Sequence, residues 1–302
     1  MTTQESRIGV VSNIPIYIVM PTLGGSHVKE TCKKLLTSLG ESDRLLVIHN
    51  GPLAIDLKEE LDDSRLVYLT AEPFGASFSR NFGITQLKTL NPTLAGVIFA
   101  NDRSVYSFAS LSFARRFLKL NSNKIGLGSW KSPAGNIVLE PKKVYATKTD
   151  LLRAYEPAML IPFDLIRKGL HWNENFGPGP KTKFKSGDGA MFLASSLAQG
   201  AELIGLPEFE VENPVSNYDL TLQKLIVKGF QYGSGYIAFL RIIRGDDSRA
   251  RLSILPFALA PIVWYFLRKP YWRVNGLVWA VSSTLGRLWG LLIKISFGDF
   301  IV

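Results

Sequence analysis

Four short apolar runs in the first hundred residues constrain the fold of this chain more than any other feature. They are IYIVM at 16–20, RLLVIHN at 44–50, RLVYLT at 65–70 and GVIFA at 96–100, and helical patterns separate them. Strands that are apolar on both faces are typical of parallel sheets covered by helices on both sides. The sequence therefore predicts an α/β fold with a mostly parallel sheet, whose ligands bind beyond the carboxyl ends of the strands.

The predicted strands deliver polar residues to that edge of the sheet. After the first, second and fourth runs come Pro21 and Thr22, His49 and Asn50, and Asn101, Asp102 and Arg103. Because the carboxyl ends of parallel strands meet at one edge, we expect these residues to surround a ligand.

Three further regions follow along the chain. Residues 124–160 hold short apolar segments that indicate antiparallel strands, and residues 171–189 are predicted to be a long, mobile loop rich in Gly, Pro and Lys. Structureless loops of this length inside a domain are usually functional. From about residue 219 the pattern is helical and apolar, although Gly229, Gly233 and Gly235 are expected to interrupt the first helix. We predict a ligand-binding domain over 1–220 and a helical region over 221–302.

The 302-residue chain carries a formal charge of +10, from 35 Lys and Arg against 25 Asp and Glu. Such an excess favours polyanionic partners, namely nucleic acid, nucleotide phosphates or an anionic membrane surface. Nucleic acid is disfavoured, because the basic residues are scattered and the tryptophans lie among apolar residues. The one cysteine, Cys32, excludes an intramolecular disulfide, and its place in an amphipathic helix predicts a buried thiol.

The last fifty residues combine apolar stretches with aromatic and basic residues. Four of the six tryptophans lie there, namely Trp264, Trp272, Trp279 and Trp289. The longest uncharged run, residues 252–267, holds two prolines and is shorter than the ~20 residues that a membrane-crossing helix needs. We therefore predict helices in the membrane interface, the alternative being a helical pair packed on the protein's own core. Because the N-terminal sequence lacks signal-peptide features, we expect a peripheral protein on the cytoplasmic face of the plasma membrane.

Four sequence blocks occur in a fixed order along the chain. They are IYIVMPTLGG at the first strand, FGASFSRNFGI at 74–84, FANDRS at 99–104 and NENFGPG…KSGDGAMFL at 173–193. Together they resemble the family 2 glycosyltransferases of the GT-A fold, particularly those that build bacterial surface polysaccharides. The resemblance covers about residues 15–245, and it implies a Rossmann-like GT-A sheet with helices on both faces.

The resemblance also implies a reaction. A sugar moves, with inversion, from a nucleoside diphosphate donor of the UDP or dTDP type to a polyprenyl-linked or oligosaccharide acceptor. Such a displacement needs a general base for the hydroxyl proton and positive charge near the departing diphosphate. The family's base falls on Asp188, whereas Gly187 stands where a Glu usually precedes it. The alternative role for Asp188 is an N-cap of the following helix.

The family's metal site, which holds Mg²⁺ or Mn²⁺ against the donor phosphates, is altered here. Its Asp-x-Asp motif falls on Asn101, Asp102 and Arg103, and Asn213 replaces a histidine that is a ligand in many relatives. Because these cations prefer carboxylate oxygens, two interpretations follow. Either Asp102 alone holds a weakly bound ion, or the site is metal-independent and Arg103, with nearby lysines, neutralises the diphosphate.

Other residues take roles from the same resemblance. Donor-binding roles fall on His49, Asn50, Arg80 and Asn81, and acceptor or loop roles fall on Trp172, Lys183 and Lys185. The first two stand where relatives read the pyrimidine ring. For the tryptophan, packing in the core is favoured over stacking on an acceptor sugar. A competing function is a non-catalytic nucleotide-sugar-binding or scaffold protein, since loss of acidic motif positions also fits such a protein. The sequence does not decide whether the protein forms a homodimer.

Overall fold

The computed structural model describes residues 14–51, 61–90, 92–142, 148–213, 221–245, 247–267 and 274–293. The strands in these ranges are β1 (Ile16–Thr22), β2 (Arg44–Asn50), β3 (Leu66–Ala71), β4 (Gly96–Phe99), β5 (Lys124–Lys131), β6 (Ile137–Leu139), β7 (Met159–Pro162) and β8 (Glu202–Glu212). The α-helices are α1 (Ser26–Ser38), α2 (Ala76–Leu90), α3 (Phe108–Leu120), α4 (Phe163–Arg167), α5 (Asp188–Ala198), α6 (Leu222–Arg244), α7 (Ser248–Leu267) and α8 (Val274–Leu292). All the strands form one sheet, in the order β3-β2-β1-β4-β7-β5-β6, with β8 paired to β5.

The first four strands form a parallel half-sheet, as predicted. β1 pairs with β2 and β4, and β2 pairs with β3, all in parallel. Successive residues of β1 face opposite sides, so Ile18 and Val19 belong to different apolar clusters, and both are fully buried. Helices α1 and α3 cover one face, and α2 and α5 cover the other. Cys32 on α1 is buried in this packing, which raises the pKa of its thiol to about 12 and fits a structural role.

The second half of the sheet adds antiparallel strands, which confirms the prediction for residues 124–160. β7 runs antiparallel to β4 and to β5, and β6 runs antiparallel to β5. β8 returns parallel to β5. The strands β4, β5 and β8 therefore point the same way as β1, and their carboxyl ends lie along one edge.

A buried ion pair joins the parallel half-sheet to α3. Asp43, which has no exposed surface, accepts hydrogen bonds at 2.7 Å from the backbone amides of Ile16 and Gly40. Its carboxylate also pairs with the guanidinium of Arg115, whose side chain is 8% exposed. One carboxylate thus holds the start of β1, the turn after α1 and helix α3 together.

Helix α6 runs without interruption through its three glycines, so the expected interruption is wrong. The glycines serve close packing against α8 instead. A Cβ on Gly233 would lie 2.2 Å from the carbonyl oxygen of Ser283, and one on Gly286 would lie 2.0 Å from that of Phe230. Small residues of this kind let two helix backbones touch. Part of α6 also belongs to the main core, where Ile237 is fully buried.

The outer faces of α7 and α8 are apolar. Side chains at least half exposed there include Trp264, Phe266, Leu267, Val274, Leu285, Trp289 and Leu292. Among the described residues, one helix is long and apolar enough to cross a membrane, namely α7, which continues through Pro256 and Pro261. The 20-residue helix is longer than the uncharged run in the sequence, because its first turn includes Arg249 and Arg251.

Some predictions fall outside the described residues. They are the helical pattern at 52–60, the apolar segment at 143–147, the domain boundary near 220, Trp272, and the chain ends at 1–13 and 294–302. The division into domains at 220 and 221 therefore stays a prediction.

Candidate active site

The loop of residues 171–187 is fixed against the N-terminus of α2. Two motif glycines touch, since a Cβ on Gly179 would lie 2.3 Å from the Cα of Gly75, and both have positive φ angles, +156° and +137°. Nearby, the hydroxyl of Ser77 donates to the carbonyl oxygen of Phe176 at 2.7 Å. The side chains of Phe176 and Phe184 are buried. The loop is therefore packed, and the expectation of a mobile loop is wrong, because its aromatic residues enter the core.

Asp188 is the first residue of α5 and pairs with Arg80 from α2. Its Oδ2 accepts a hydrogen bond from Nη1 of Arg80 at 2.5 Å, and the two side chains are 6% and 4% exposed. The N-cap of α5 is Gly187, in a left-handed conformation, so Asp188 does not take the alternative role of a cap. The guanidinium carbon of Arg80 lies 4.3 Å from the ring centroid of Trp172. These contacts fix the carboxylate in one orientation.

Asp188 and Arg80 line a cavity of about 500 Å³ at the carboxyl edge of the sheet. Asn101 follows β4 and Asn213 follows β8 along this edge. The charged residues of the wall are Arg80, Lys185, Lys228, Arg287, Glu156 and Asp188, and its large aromatic residues are Trp130, Tyr155, Tyr232, Tyr236 and Trp279. Four cations against two carboxylates, with aromatic walls, suit a ligand that carries phosphates and sugar rings.

Glu156 is a functional candidate that the sequence did not reveal. It opens the 3₁₀ turn Glu156–Ala158 just before β7, and it lines the same cavity as Asp188. Burial, and then the nearby charge of Asp188, raise the pKa of its carboxyl to about 7, while Arg80 acts in the opposite direction. The sequence signal that points to it is Gly189, the glycine after Asp188, which leaves room for a side chain from elsewhere.

The two asparagines at usual metal-ligand positions share one tyrosine. The Nδ2 atom of Asn213 donates to Oη of Tyr155 at 2.5 Å, and that of Asn101 lies 3.3 Å from the same atom. Tyr155 stacks on Trp130 with ring centroids 4.5 Å apart. Burial raises the pKa of the Tyr155 hydroxyl, which therefore stays protonated at neutral pH. These asparagines build the cavity wall through a neutral network.

Asp102 lies at the carboxyl edge beside β1, outside the lining of this cavity. Its Oδ2 accepts a hydrogen bond from the hydroxyl of Thr22 at 3.1 Å and lies 3.2 Å from Nε2 of His27. In the part of the chain that the structure describes, no three His, Cys, Asp or Glu side chains are grouped to hold a metal ion. A single carboxylate beside an imidazole does not fit the oxygen-rich coordination of Mg²⁺. By themselves, the described residues around Asp102 do not fit the ligand set of a protein-bound Mg²⁺ site.

The last two residues of β2, His49 and Asn50, are packed at the same edge. His49 is 3% exposed, and its Nδ1 lies 3.1 Å from the carbonyl oxygen of Gly51. A carbonyl oxygen accepts, so Nδ1 is the donor of this hydrogen bond. The other ring nitrogen, Nε2, is buried and has no hydrogen-bond partner among the described residues. The Oδ1 atom of Asn50 accepts a hydrogen bond from Ser79.

Trp172 takes the packing role that the sequence favours and is not available to stack on an acceptor sugar. It is fully buried, and it stacks on Phe192 with centroids 4.4 Å apart. Asn81 holds this part of the loop: its Oδ1 accepts from the amide of Trp172 at 2.8 Å, and its Nδ2 donates to the carbonyl of Trp172 at 2.9 Å. Asn81 thus holds the backbone of the loop at Trp172, and it lies outside the cavity lining.

The predicted cations take different positions. Lys185 lines the cavity, but its ammonium donates to carbonyls of its own loop, including that of Thr182 at 2.7 Å. Burial lowers the pKa of Lys185. Lys183 is exposed and lies 5.8 Å from the ring centroid of Phe184. Arg103 is exposed at the sheet edge and makes no hydrogen bond or ion pair within the described ranges, whereas Pro21 is partly buried at the end of β1.

Comparisons with solved structures identify the fold. The mannosyltransferase PcManGT from Pyrobaculum calidifontis, in complex with GDP-Man and Mn²⁺, matches with a TM-score of 0.59 and 12% identity, over 91% of this chain and 87% of that chain. S. aureus TarS, residues 1–349, matches with a TM-score of 0.51 and 11% identity, over 91% and 90% of the two chains. The same segment in complex with UDP gives a TM-score of 0.50 and 12% identity, with the same coverage. No protein-family model and no curated protein matches the chain.

The chain has the fold of these glycosyltransferases. The mostly parallel sheet, the helices on both faces and the C-terminal helices agree with the predicted GT-A class, which is confirmed. Identities of 11–12% establish the fold alone. The reaction must therefore be argued from the residues of this chain.

Proposed function

We propose that this protein is an inverting glycosyltransferase of the family 2 type, which uses a nucleoside diphosphate sugar to build a cell-surface polysaccharide. The observation that carries the proposal is the cavity at the sheet edge, where Asp188 is held by Arg80 among an excess of cations. The neighbours support a nucleotide-sugar donor, since one structure contains GDP-Man and another contains UDP.

In the proposed reaction, an acceptor oxygen attacks the anomeric carbon from the side opposite the diphosphate. The bond between that carbon and the phosphate oxygen breaks, and the diphosphate leaves with the electron pair. Asp188 accepts the hydroxyl proton as the new bond forms. The cavity cations stabilise the charge that develops on the diphosphate. Attack from the opposite side inverts the anomeric configuration.

The donor is proposed to be of the UDP or dTDP type, because His49 and Asn50 stand at the carboxyl end of β2, where relatives read the pyrimidine ring. The structure of one neighbour contains UDP. Asn50 is less suited to reading the ring, because its side-chain oxygen already accepts from Ser79.

We further propose that the donor diphosphate is neutralised by protein cations rather than by a protein-bound metal ion. Asp102 is engaged by Thr22 and His27, and Asn101 is engaged by Tyr155. Arg103 is the exposed cation at the same edge, and a guanidinium can bind phosphate through two hydrogen bonds. A mannosyltransferase with the same fold has Mn²⁺ in its complex, so the point needs a direct test.

Chelation of divalent metal ions is therefore expected to leave sugar transfer nearly unchanged. Purified protein is screened with nucleotide sugars by thermal shift, since a ligand of the folded state raises the melting temperature. Transfer from the donor that binds is then measured in EDTA and with added Mn²⁺. Activity that disappears in EDTA and returns with Mn²⁺ would contradict metal independence. Donor binding without transfer to any acceptor would favour the scaffold function.

The acceptor is proposed to be polyprenyl-linked. A second cavity, of about 510 Å³, adjoins the first and shares with it Tyr236, Trp279, Ser283 and Arg287. Its further lining comes from α7 and α8, including Trp264 and Pro261. A path from the carboxylates to exposed apolar helices suits a molecule with a polar sugar end and a lipid end.

The protein is proposed to bind the cytoplasmic face of the plasma membrane through α7 and α8. Their exposed tryptophans and leucines match the composition of helices at a bilayer interface. Purified protein is expected to float with anionic liposomes, and to float less well when Trp264 and Trp289 are both replaced by Ser. Two results together would contradict insertion of these helices: high salt abolishes flotation, and the double variant floats as well as the wild type. They would indicate that the attachment is purely electrostatic.

A further inference from the structure

The site contains a second carboxylate, although the family's Glu next to the catalytic Asp is missing at position 187. Residue 187 is a glycine with a φ of +86°, and a Cβ there would lie 3.3 Å from the carbonyl oxygen of Gly235. A Glu at this position would therefore be strained and crowded. The chain supplies a carboxylate from elsewhere, namely Glu156, which is 32 residues before Asp188 in the sequence.

Gly189 makes the space that Glu156 occupies. A Cβ on Gly189 would lie 2.6 Å from both Cγ and Oε1 of Glu156, far inside van der Waals contact. The carboxylate lies at the N-terminus of α5, where the backbone amide of Gly189 hydrogen-bonds to it. It is thus packed against the residue that follows Asp188, and both carboxylates line the same cavity.

The two carboxylates differ in their charge partners. Asp188 is paired with Arg80 at 2.5 Å, whereas Glu156 has no ion pair with a Lys or Arg in the part of the chain that the structure describes. The titratable and charged groups around Glu156 are Asp188 on α5, Arg80 on α2, Tyr155 on its own turn, Lys185 on the loop, Tyr232 and Lys228 on α6, and Arg287 on α8. Arg80 is therefore the ion-pair partner of Asp188, while Glu156 shares the cavity wall with both of them.

We propose that Glu156 is a second catalytic carboxylate, which shares with Asp188 the proton taken from the acceptor hydroxyl. This inference rests on the proposed function. The acceptor O–H bond breaks as the bond from oxygen to the anomeric carbon forms, and the proton is held between the two carboxylates. The diphosphate leaves with the electrons of its bond to that carbon. The raised pKa of Glu156, about 7, places the protonation of this carboxylate in the range where a base works at neutral pH.

The test is the pH profile of kcat/KM for three variants beside the wild type. The wild type is expected to lose activity below a midpoint near the pKa of about 7. Glu156→Gln is expected to lose about tenfold or more in rate and to shift that midpoint to lower pH, while Glu156→Asp keeps part of the rate. The matched control Glu202→Gln changes an exposed residue at the start of β8, paired with Lys124, and should behave as the wild type. An unchanged midpoint in Glu156→Gln would overturn the proposal.

A second readout separates this inference from the proposed function. Because the folded state binds the Glu156 proton more tightly than the unfolded state, whose pKa is 4.5, stability is lost as the pH rises from there through about 7. Glu156→Gln should therefore have a higher melting temperature than the wild type at pH 8, relative to the difference at pH 5. If the difference in melting temperature between variant and wild type is the same at both pH values, Glu156 does not titrate in this range, and the proposal is contradicted. Absence of sugar transfer by the wild type, with any donor, contradicts the proposed function instead.

Discussion

Asp188→Asn is expected to reduce kcat for sugar transfer by about 10³-fold, the middle of the range for loss of a general base. Asparagine keeps the size of the side chain but cannot accept the hydroxyl proton at neutral pH. Donor affinity should change little, because the residue acts on the acceptor side of the reaction. The measurements are kcat by single-turnover transfer and donor affinity by calorimetry.

Removal of this charge also leaves Arg80 buried without its partner, so folding must be checked. Circular dichroism and the melting temperature of the variant establish that it is folded at the assay temperature. The matched control is Asp164→Asn, which removes a carboxylate that is 30% exposed and paired with Arg167 on α4. The control should keep wild-type activity. If Asp188→Asn transfers sugar as fast as this control, Asp188 is not the base.

Asp43→Asn is expected to lower the free energy of unfolding by about 3–5 kcal/mol, the usual cost of removing one member of a buried ion pair. The variant leaves the buried Arg115 without a counter-charge. In Asp43, one carboxylate oxygen accepts from the amide of Ile16 and the other from the amide of Gly40, both at 2.7 Å. Asparagine replaces one of these oxygens by an amide nitrogen, which is a donor, so one of the two hydrogen bonds is lost. Urea denaturation followed by circular dichroism measures the change.

The same Asp164→Asn protein is the control for this experiment. Its ion pair is partly exposed, and exposed pairs contribute about 0–1 kcal/mol. A second variant, Asp43→Asn with Arg115→Met, should recover part of the loss, because it removes the buried unpaired charge. A loss for Asp43→Asn no larger than that of the control would mean that this pair does not hold the half-sheet together.

The sheet was predictable from the sequence because its strands are buried on both faces. The four runs in the parallel half are short, 4–8 residues long and rich in Ile, Val and Leu, and their length and composition favour strands over helices. The carboxyl edge followed from strand direction alone, and it does bring Thr22 to Asp102. The Asp188 region was predictable from motif order, since the glycine-rich blocks at 74–84 and 173–193 contact each other through Gly75 and Gly179.

The rest depends on packing between distant segments. Glu156 is in a short 3₁₀ turn with no pattern of its own, and only the fold brings it to Asp188. The sequence alone allows Trp172 either to pack in the core or to stack on a ligand. Its contacts with Phe192 and Arg80 decide for packing. The glycines of α6 suggest helix breaks in the sequence, but in the fold they provide the space in which α8 packs. In each case one contact across the fold decides the role of the residue.

A crystal structure of Asp188→Asn with a bound nucleotide sugar tests the central claim most directly. The account predicts the diphosphate at the carboxyl edge of β1 and β4, with Arg103 in reach, and the sugar in the cavity with its anomeric carbon open toward Asn at position 188 and toward Glu156. A nucleotide bound on another surface, or a sugar separated from these carboxylates by the packed loop of residues 171–187, would contradict it.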